Sequence, residues 1–125
     1  MTENEISFDI RGAIYDVYSG LGAGLLESVY LAALEWELLN KGYEVKRELA
    51  LPVHYKDIKM NLGFRLDLLV ENRVIVEVKS VEELSPLHHK QLLTYLKITD
   101  LKLGILVNFN VTNINEGIHR KVNKL

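Results

Sequence analysis

The chain contains no cysteine. A disulfide framework and a thiolate metal site are therefore excluded. Nowhere do about eighteen apolar residues run together, so no membrane span is expected. The N-terminus, MTENEISFDI, is acidic and lacks the apolar centre of a secretion signal. The expected location is cytoplasmic, with no membrane partner. Charge of one sign is also lacking: the net charge is −2 and the pI about 6.1. That balance argues against a protein that coats nucleic acid through bulk charge. A local basic groove is still open to Lys41, Lys46, Arg47, Lys56, Lys59, His119, Arg120, Lys121 and Lys124. Most of these read as solvated surface charges. Repeats, low-complexity tracts and linkers are absent too. The 125 residues are read as one domain, 1–125, with one core.

Two phosphate and metal signatures are also missing. Gly20, Gly22 and Gly24 do not follow a strand and lack the Lys-Ser/Thr signature of a phosphate-binding loop. No cluster of Cys, His and acid has the make-up of a zinc site. His88 and His89 are adjacent, so a helix would splay them by about 100°. They are expected at the surface.

What is present begins with a helical apolar spacing at Ile6, Ile10, Ile14, Val17 and Tyr18. The glycines of Ser19–Gly24 break it. A second helix is predicted from Leu25 to Asn40, stopping at Lys41-Gly42. Glu44 to Tyr55 reads as a strand, with a turn near Lys56-Asp57 and another strand to Leu62. Pro52 marks the first of these as an edge strand or an irregular one. Ser85-Pro86 is an N-cap followed by proline at the first helical position. It opens a helix to about Ile98. Leu101–Asn108 is a short, very apolar strand. Val111–Leu125 is open between a short helix, a last strand and a tail. The fold class is α/β, a mixed sheet flanked by helices.

The segment Phe64–Ser80, FRLDLLVENRVIVEVKS, carries the chemistry. Both halves alternate with the period of a half-buried strand, and Glu71-Asn72-Arg73 is a plausible turn. Pairing Val70 with Val74 sets Leu68 against Val76 and Leu66 against Val78, all on one apolar face. The same register sets Asp67 opposite Glu77 and Arg65 opposite Lys79. Two carboxylates and a lysine on adjacent strands suit a magnesium-dependent phosphodiesterase. Magnesium takes oxygen ligands, commonly one or two carboxylates plus waters and phosphate oxygens. Asp67 and Glu77 would supply these, with the Val78 carbonyl as a third oxygen. Lys79 would orient the nucleophile or stabilise charge on the phosphate. The competing reading is a cross-strand ion-pair ladder in which Arg65 and Lys79 neutralise the acids.

Three further residues are candidates. Glu27 lies in the first turn of the second helix, where an acid suits the helix dipole or serves as a further metal ligand. Tyr30 follows one turn on and either bonds at the site or packs. Gln91 and Tyr95 share a face of the third helix. They would contact substrate or hold the lysine, or form the core stripe and its rim.

Taken together, Asp67, Glu77-Val78-Lys79 and Gln91-Leu92-Leu93-Thr94-Tyr95 resemble the PD-(D/E)XK nuclease superfamily, with the Gln-x-x-x-Tyr motif of its RecB-like exonucleases. More narrowly, Gly24-Leu25-Leu26-Glu27-Ser28-Val29-Tyr30 resembles the namesake motif of the GxxExxY family. Arg65–Val70 and Gly104–Asn110 also look like segments of that family. The resemblance spans about Ile6 to Val122. Leu66 stands before Asp67 where the superfamily name has proline. The resemblance implies a restriction-endonuclease-like core, metal ligands at Asp67 and Glu77, a catalytic Lys79, an auxiliary Glu27, and supporting Gln91 and Tyr95. The function expected is a Mg²⁺-dependent nuclease, with Mn²⁺ as a substitute, acting on DNA or RNA. The alternatives are a non-catalytic nucleic-acid-binding module and a metal enzyme acting on a small phosphorylated molecule. Assembly into a homo-oligomer would lengthen a small domain's groove.

Overall fold

The computed structural model describes residues 1–125. In chain order the elements are α1 (Glu3–Leu21), α2 (Glu27–Asn40), β1 (Val45–Tyr55), β2 (Ile58–Val70), β3 (Val74–Lys79), α3 (Pro86–Thr99), β4 (Leu103–Asn108), α4 (Ile114–Gly117) and β5 (Ile118–Val122). The strands form one sheet in the order β1-β2-β3-β4-β5. Only the β3–β4 pair is parallel. Helix α3 supplies the crossover that a parallel pair needs.

Local chemistry explains most boundaries. Thr2 and Glu5 close a capping box at the start of α1. Ile6, Ile10, Ala13, Ile14 and Val17 bury its inner face. Gly22, at φ 68°, ends it in a backbone state that side chains rarely adopt. Helix α2 has no side-chain cap. Its entry is held instead by Tyr30, whose hydroxyl donates to Gly22 O at 2.6 Å and accepts from Leu25 N at 3.1 Å. Tyr30 therefore belongs to the core, stacked on Phe109 with ring centroids 4.4 Å apart. Helix α3 starts as expected, with Ser85 as N-cap and Pro86 first.

The core lies on both faces of the sheet. Helices α1 and α2 cover Leu68, Val70, Val74, Val76, Val78, Leu103, Ile105 and Val107. Helix α3 covers Leu66, Leu69, Ile75 and Leu106 on the other side. Each such side chain, fully buried, contributes roughly 1.5–3 kcal/mol. Burial on both faces explains why β4 reads as a continuous apolar run.

Several expectations are corrected. The strand expected to end at Leu62 continues without a break to Val70, so the hairpin's first strand is the second half of β2. Pro52 fits both of its readings. Strand β1 is an edge, and its register with β2 shifts between Pro52 and His54. Val111–Leu125 resolves into α4 and then β5, which pairs antiparallel with β4. The histidines are not simple surface residues. His88 caps α3, its Nδ1 accepting from Ser85 N at 3.1 Å. His89 is half-buried and meets His119 edge-on, with centroids 5.0 Å apart.

The hairpin register matches at Val70–Val74 and Leu68–Val76. It fails beyond. Leu66 does not join Leu68 and Val78; it packs under α3 with Leu69, Ile75 and Leu92. Arg65 lies opposite Ala50 of β1, not Lys79. The physical reason is the loss of one of two partners. Strand β2 leaves β3 after Leu68 and continues with β1 alone. Glu48, at φ 52°, sits in β1 where regular pairing with Asp67 would fall, between Arg47–Leu68 and Leu49–Leu66. The sheet forks at Asp67.

Candidate functional site

The fork sets Asp67 on one prong and Glu77 on the other. Each carboxylate bonds the opposite strand's backbone. Glu77 Oε2 accepts from Asp67 N at 2.8 Å, and Asp67 Oδ2 accepts from Val78 N at 2.8 Å. Ladder bonds lost where the strands part are thus replaced by side-chain acceptors, as buried amides require. Glu77 is only 5% exposed.

Two acids in so dry a place repel their own ionisation. Burial raises the Glu77 carboxyl to about 8, and the charge of Asp67 adds to the rise. The Asp67 amide, Lys79 and Arg65 oppose it. Burial also raises Asp67, against the Val78 amide and Lys79. The cations stop short of contact. Arg65 pairs with Glu48 at 3.8 Å, and the other ion pairs join Arg47 to Glu35 and Glu48. An ion-pair ladder neutralising Asp67 and Glu77 is therefore not formed.

The remaining candidates approach from two sides. Glu27 stands exposed at the start of α2, with Oε1 3.3 Å from Ser80 N. It lines a cavity of about 230 Å³ together with Asp67, Val78, Arg65 and Glu48. From the α3 side, Tyr95 stacks on Phe64 with centroids 4.8 Å apart. Burial raises its hydroxyl, and the charges of Glu77 and Asp67 add to this, while Gln91 acts the other way. Lys79 ends β3, opposite Asn108 of β4. Asp67 and Glu77 remain a pair; no group of three His, Cys, Asp or Glu side chains is arranged to hold a metal ion. Their all-oxygen character nevertheless suits a hard divalent cation, which needs only one or two carboxylates and keeps its waters.

Two residues escaped the sequence reading. Asn108 is 3% exposed. Its side chain clamps Val81, accepting from Val81 N at 3.1 Å and donating to Val81 O at 2.9 Å. Ser80 Oγ donates to Leu25 O at 2.6 Å, tying the residue after β3 to the loop before α2. A lone amide in an apolar strand was the available signal for Asn108. Asn108→Ala strands the Val81 amide and carbonyl, at a cost of about 1–3 kcal/mol. A thermal melt is expected to show that loss.

A mixed sheet flanked by helices, forked around two carboxylates and a lysine, defines an α/β fold with a restriction-endonuclease-like core. The family model for the PD-(D/E)XK nuclease superfamily matches residues 4–121, and the chain belongs to that superfamily. Its fold is similar to the crystal structure of SSO0001, at 22% identity and a TM-score of 0.59, over 79% of this chain and 51% of that one. The chain thus spans about half the length of that protein. No curated protein matches the chain.

Proposed function

We propose that this domain, residues 1–125, is a nuclease that hydrolyses phosphodiester bonds of DNA or RNA with Mg²⁺, or Mn²⁺ in its place. One observation carries the reading: half-buried Asp67 and buried Glu77 interlock across the fork beside Lys79, and neither carboxyl has an ion-pair partner. Asp67, Glu77 and the Val78 carbonyl would hold the cation, with Glu27 contributing from α2. When bound, the cation polarises phosphate and lowers the pKa of water. The interlocked amides hold both carboxylates in place before substrate arrives. Lys79 places its ammonium where negative charge grows on the phosphate. Tyr95 and Gln91 form the α3 wall and position the substrate. Gly24–Tyr30 supports the narrower assignment to the GxxExxY family.

The test is cleavage of labelled single- and double-stranded DNA and RNA with Mg²⁺ or Mn²⁺. Lys79→Ala is expected to fold normally and lose about 10²–10³-fold in rate. Cleavage at the wild-type rate by that variant would reject the assignment of Lys79. No cleavage of any polynucleotide by wild type would reject the nuclease.

A further inference from the structure

Below the fork, β1 and β2 leave the sheet as a two-stranded arm. From Leu49–Leu66 out to Tyr55–Ile58, the two strands pair only with each other. The root is anchored on the α3 side, where Leu49, Leu51 and Phe64 pack against Leu66 and Tyr95. Strand alternation puts Ala50, Lys59, Asn61, Gly63 and Arg65 on the opposite face. Arg65 is shared between this face and the cavity that holds Asp67.

We infer that this arm grips double-stranded nucleic acid, laying its Lys59 face on the phosphate backbone of the duplex whose scissile phosphate lies in the fork. The inference rests on the nuclease reading above and names the substrate class of that site.

Four observations support it. First, the face is concave, with a cavity of about 610 Å³ lined by Ala50, Pro52, Lys59, Asn61, Gly63 and Arg65 among others. Second, its floor is bare backbone at Gly63. A Cβ there would sit 2.0 Å from Leu51 O of the paired strand, so the glycine lets β1 and β2 approach closely at the cavity. Third, the charge is complementary to phosphate. Lys56 and Lys59 have no acidic partner, and Glu48 is already engaged by Arg47 and Arg65. Fourth, the far side of the tip is apolar and exposed: Tyr55 61%, Ile58 62%, Leu62 83%. A ribbon that is basic on one side and apolar on the other suits the groove of a duplex, where both sides meet the ligand. A single strand would lie on one face only. The reach is also suitable. Eight residues separate Lys59 from Asp67, about 26 Å of strand, or roughly eight base pairs of rise.

The test compares wild type with Lys56→Ala/Lys59→Ala in fluorescence anisotropy on a 24-base-pair duplex and its separate single strands. Chelator is present to prevent cleavage. Both lysines are exposed, so an unchanged melting temperature is expected and is checked first. The double variant is expected to bind the duplex about tenfold more weakly. Its slope of log affinity against log salt is expected to be shallower by about two, at roughly 0.9 per lost phosphate contact. The loss on single strands is expected to be smaller. Unchanged duplex affinity and slope, with wild type still binding and cutting, would overturn the arm's role and leave the nuclease standing. A loss as large on single strands would overturn the duplex assignment. A wild type that neither binds nor cuts any nucleic acid would remove the nuclease reading itself.

Discussion

Without divalent cations, Glu77→Gln is expected to melt at a higher temperature than the wild type at pH 8 and above, and to lose binding of Mg²⁺ and Mn²⁺. The cause is the cost of an ionised carboxylate in the dry fork. Glu77 titrates near 8 in the folded protein, against an ordinary value of 4.5. Between those values the folded state holds a proton that the unfolded state has released. Stability of the wild type therefore falls as pH rises through that window, and levels off above about 8. Glutamine cannot ionise, and its carbonyl can still accept from Asp67 N. The variant's advantage is absent below pH 4.5, grows through the window and is complete above 8. Each pH unit is worth about 1.36 kcal/mol, so the full gain is on the order of a few kcal/mol. Added Mg²⁺ is expected to reverse the order, because it stabilises only the protein that binds it. Binding to the wild type should tighten as pH rises towards 8, since the proton competes with the ion. Melting curves from pH 5 to 9, with and without Mg²⁺, decide the matter. Parallel curves for the two proteins, or Mg²⁺ stabilising both alike, would sink the prediction.

Asp67→Asn is expected to lose about 10⁴-fold in cleavage rate, equivalent to roughly 5 kcal/mol of transition-state stabilisation, while keeping its fold. Asparagine retains an oxygen for Val78 N, now accepted by Asp67 at 2.8 Å. The backbone bond across the fork therefore survives and only the charge is lost. Alanine is the poorer probe, because it leaves that amide without its acceptor, at about 1–3 kcal/mol. Single-turnover cleavage read beside a circular-dichroism melt separates the two effects. A folded variant that cuts at the wild-type rate would remove Asp67 from the site. A variant that fails to fold would mark the carboxylate as structural.

The hairpin shows how far local pattern reaches. Val70–Val74 and Leu68–Val76 pair as alternation predicts, around a turn with Glu71 and Asn72 both at φ 54°. The same alternation misplaced Leu66 and Arg65. Side-chain period is a property of one strand, whereas the neighbour a strand pairs with is a property of the sheet. Strand β2 keeps β1 along its whole length but has β3 beside it only from Leu68 to Val70, and the alternation carries no mark of it. Strand β5 was only one of three readings left open for Val111–Leu125. Between buried Ile118 and exposed Val122 stand His119, Arg120 and Lys121, and only pairing with β4 makes the segment a strand.

Residue types and order were decided by the sequence alone: helices capped at Thr2 and Ser85, an apolar β3 and β4, and Asp67, Glu77 and Lys79 close together along the chain. These follow from short-range sterics, capping chemistry and periodic burial, which a few neighbouring residues determine. The fork, the exchange of amides between Asp67 and Glu77, the clamp of Asn108 on Val81 and the elevated titration of Glu77 were decided only by tertiary structure. Each depends on which distant segments exclude water from one another, and desolvation exists only once those segments have met.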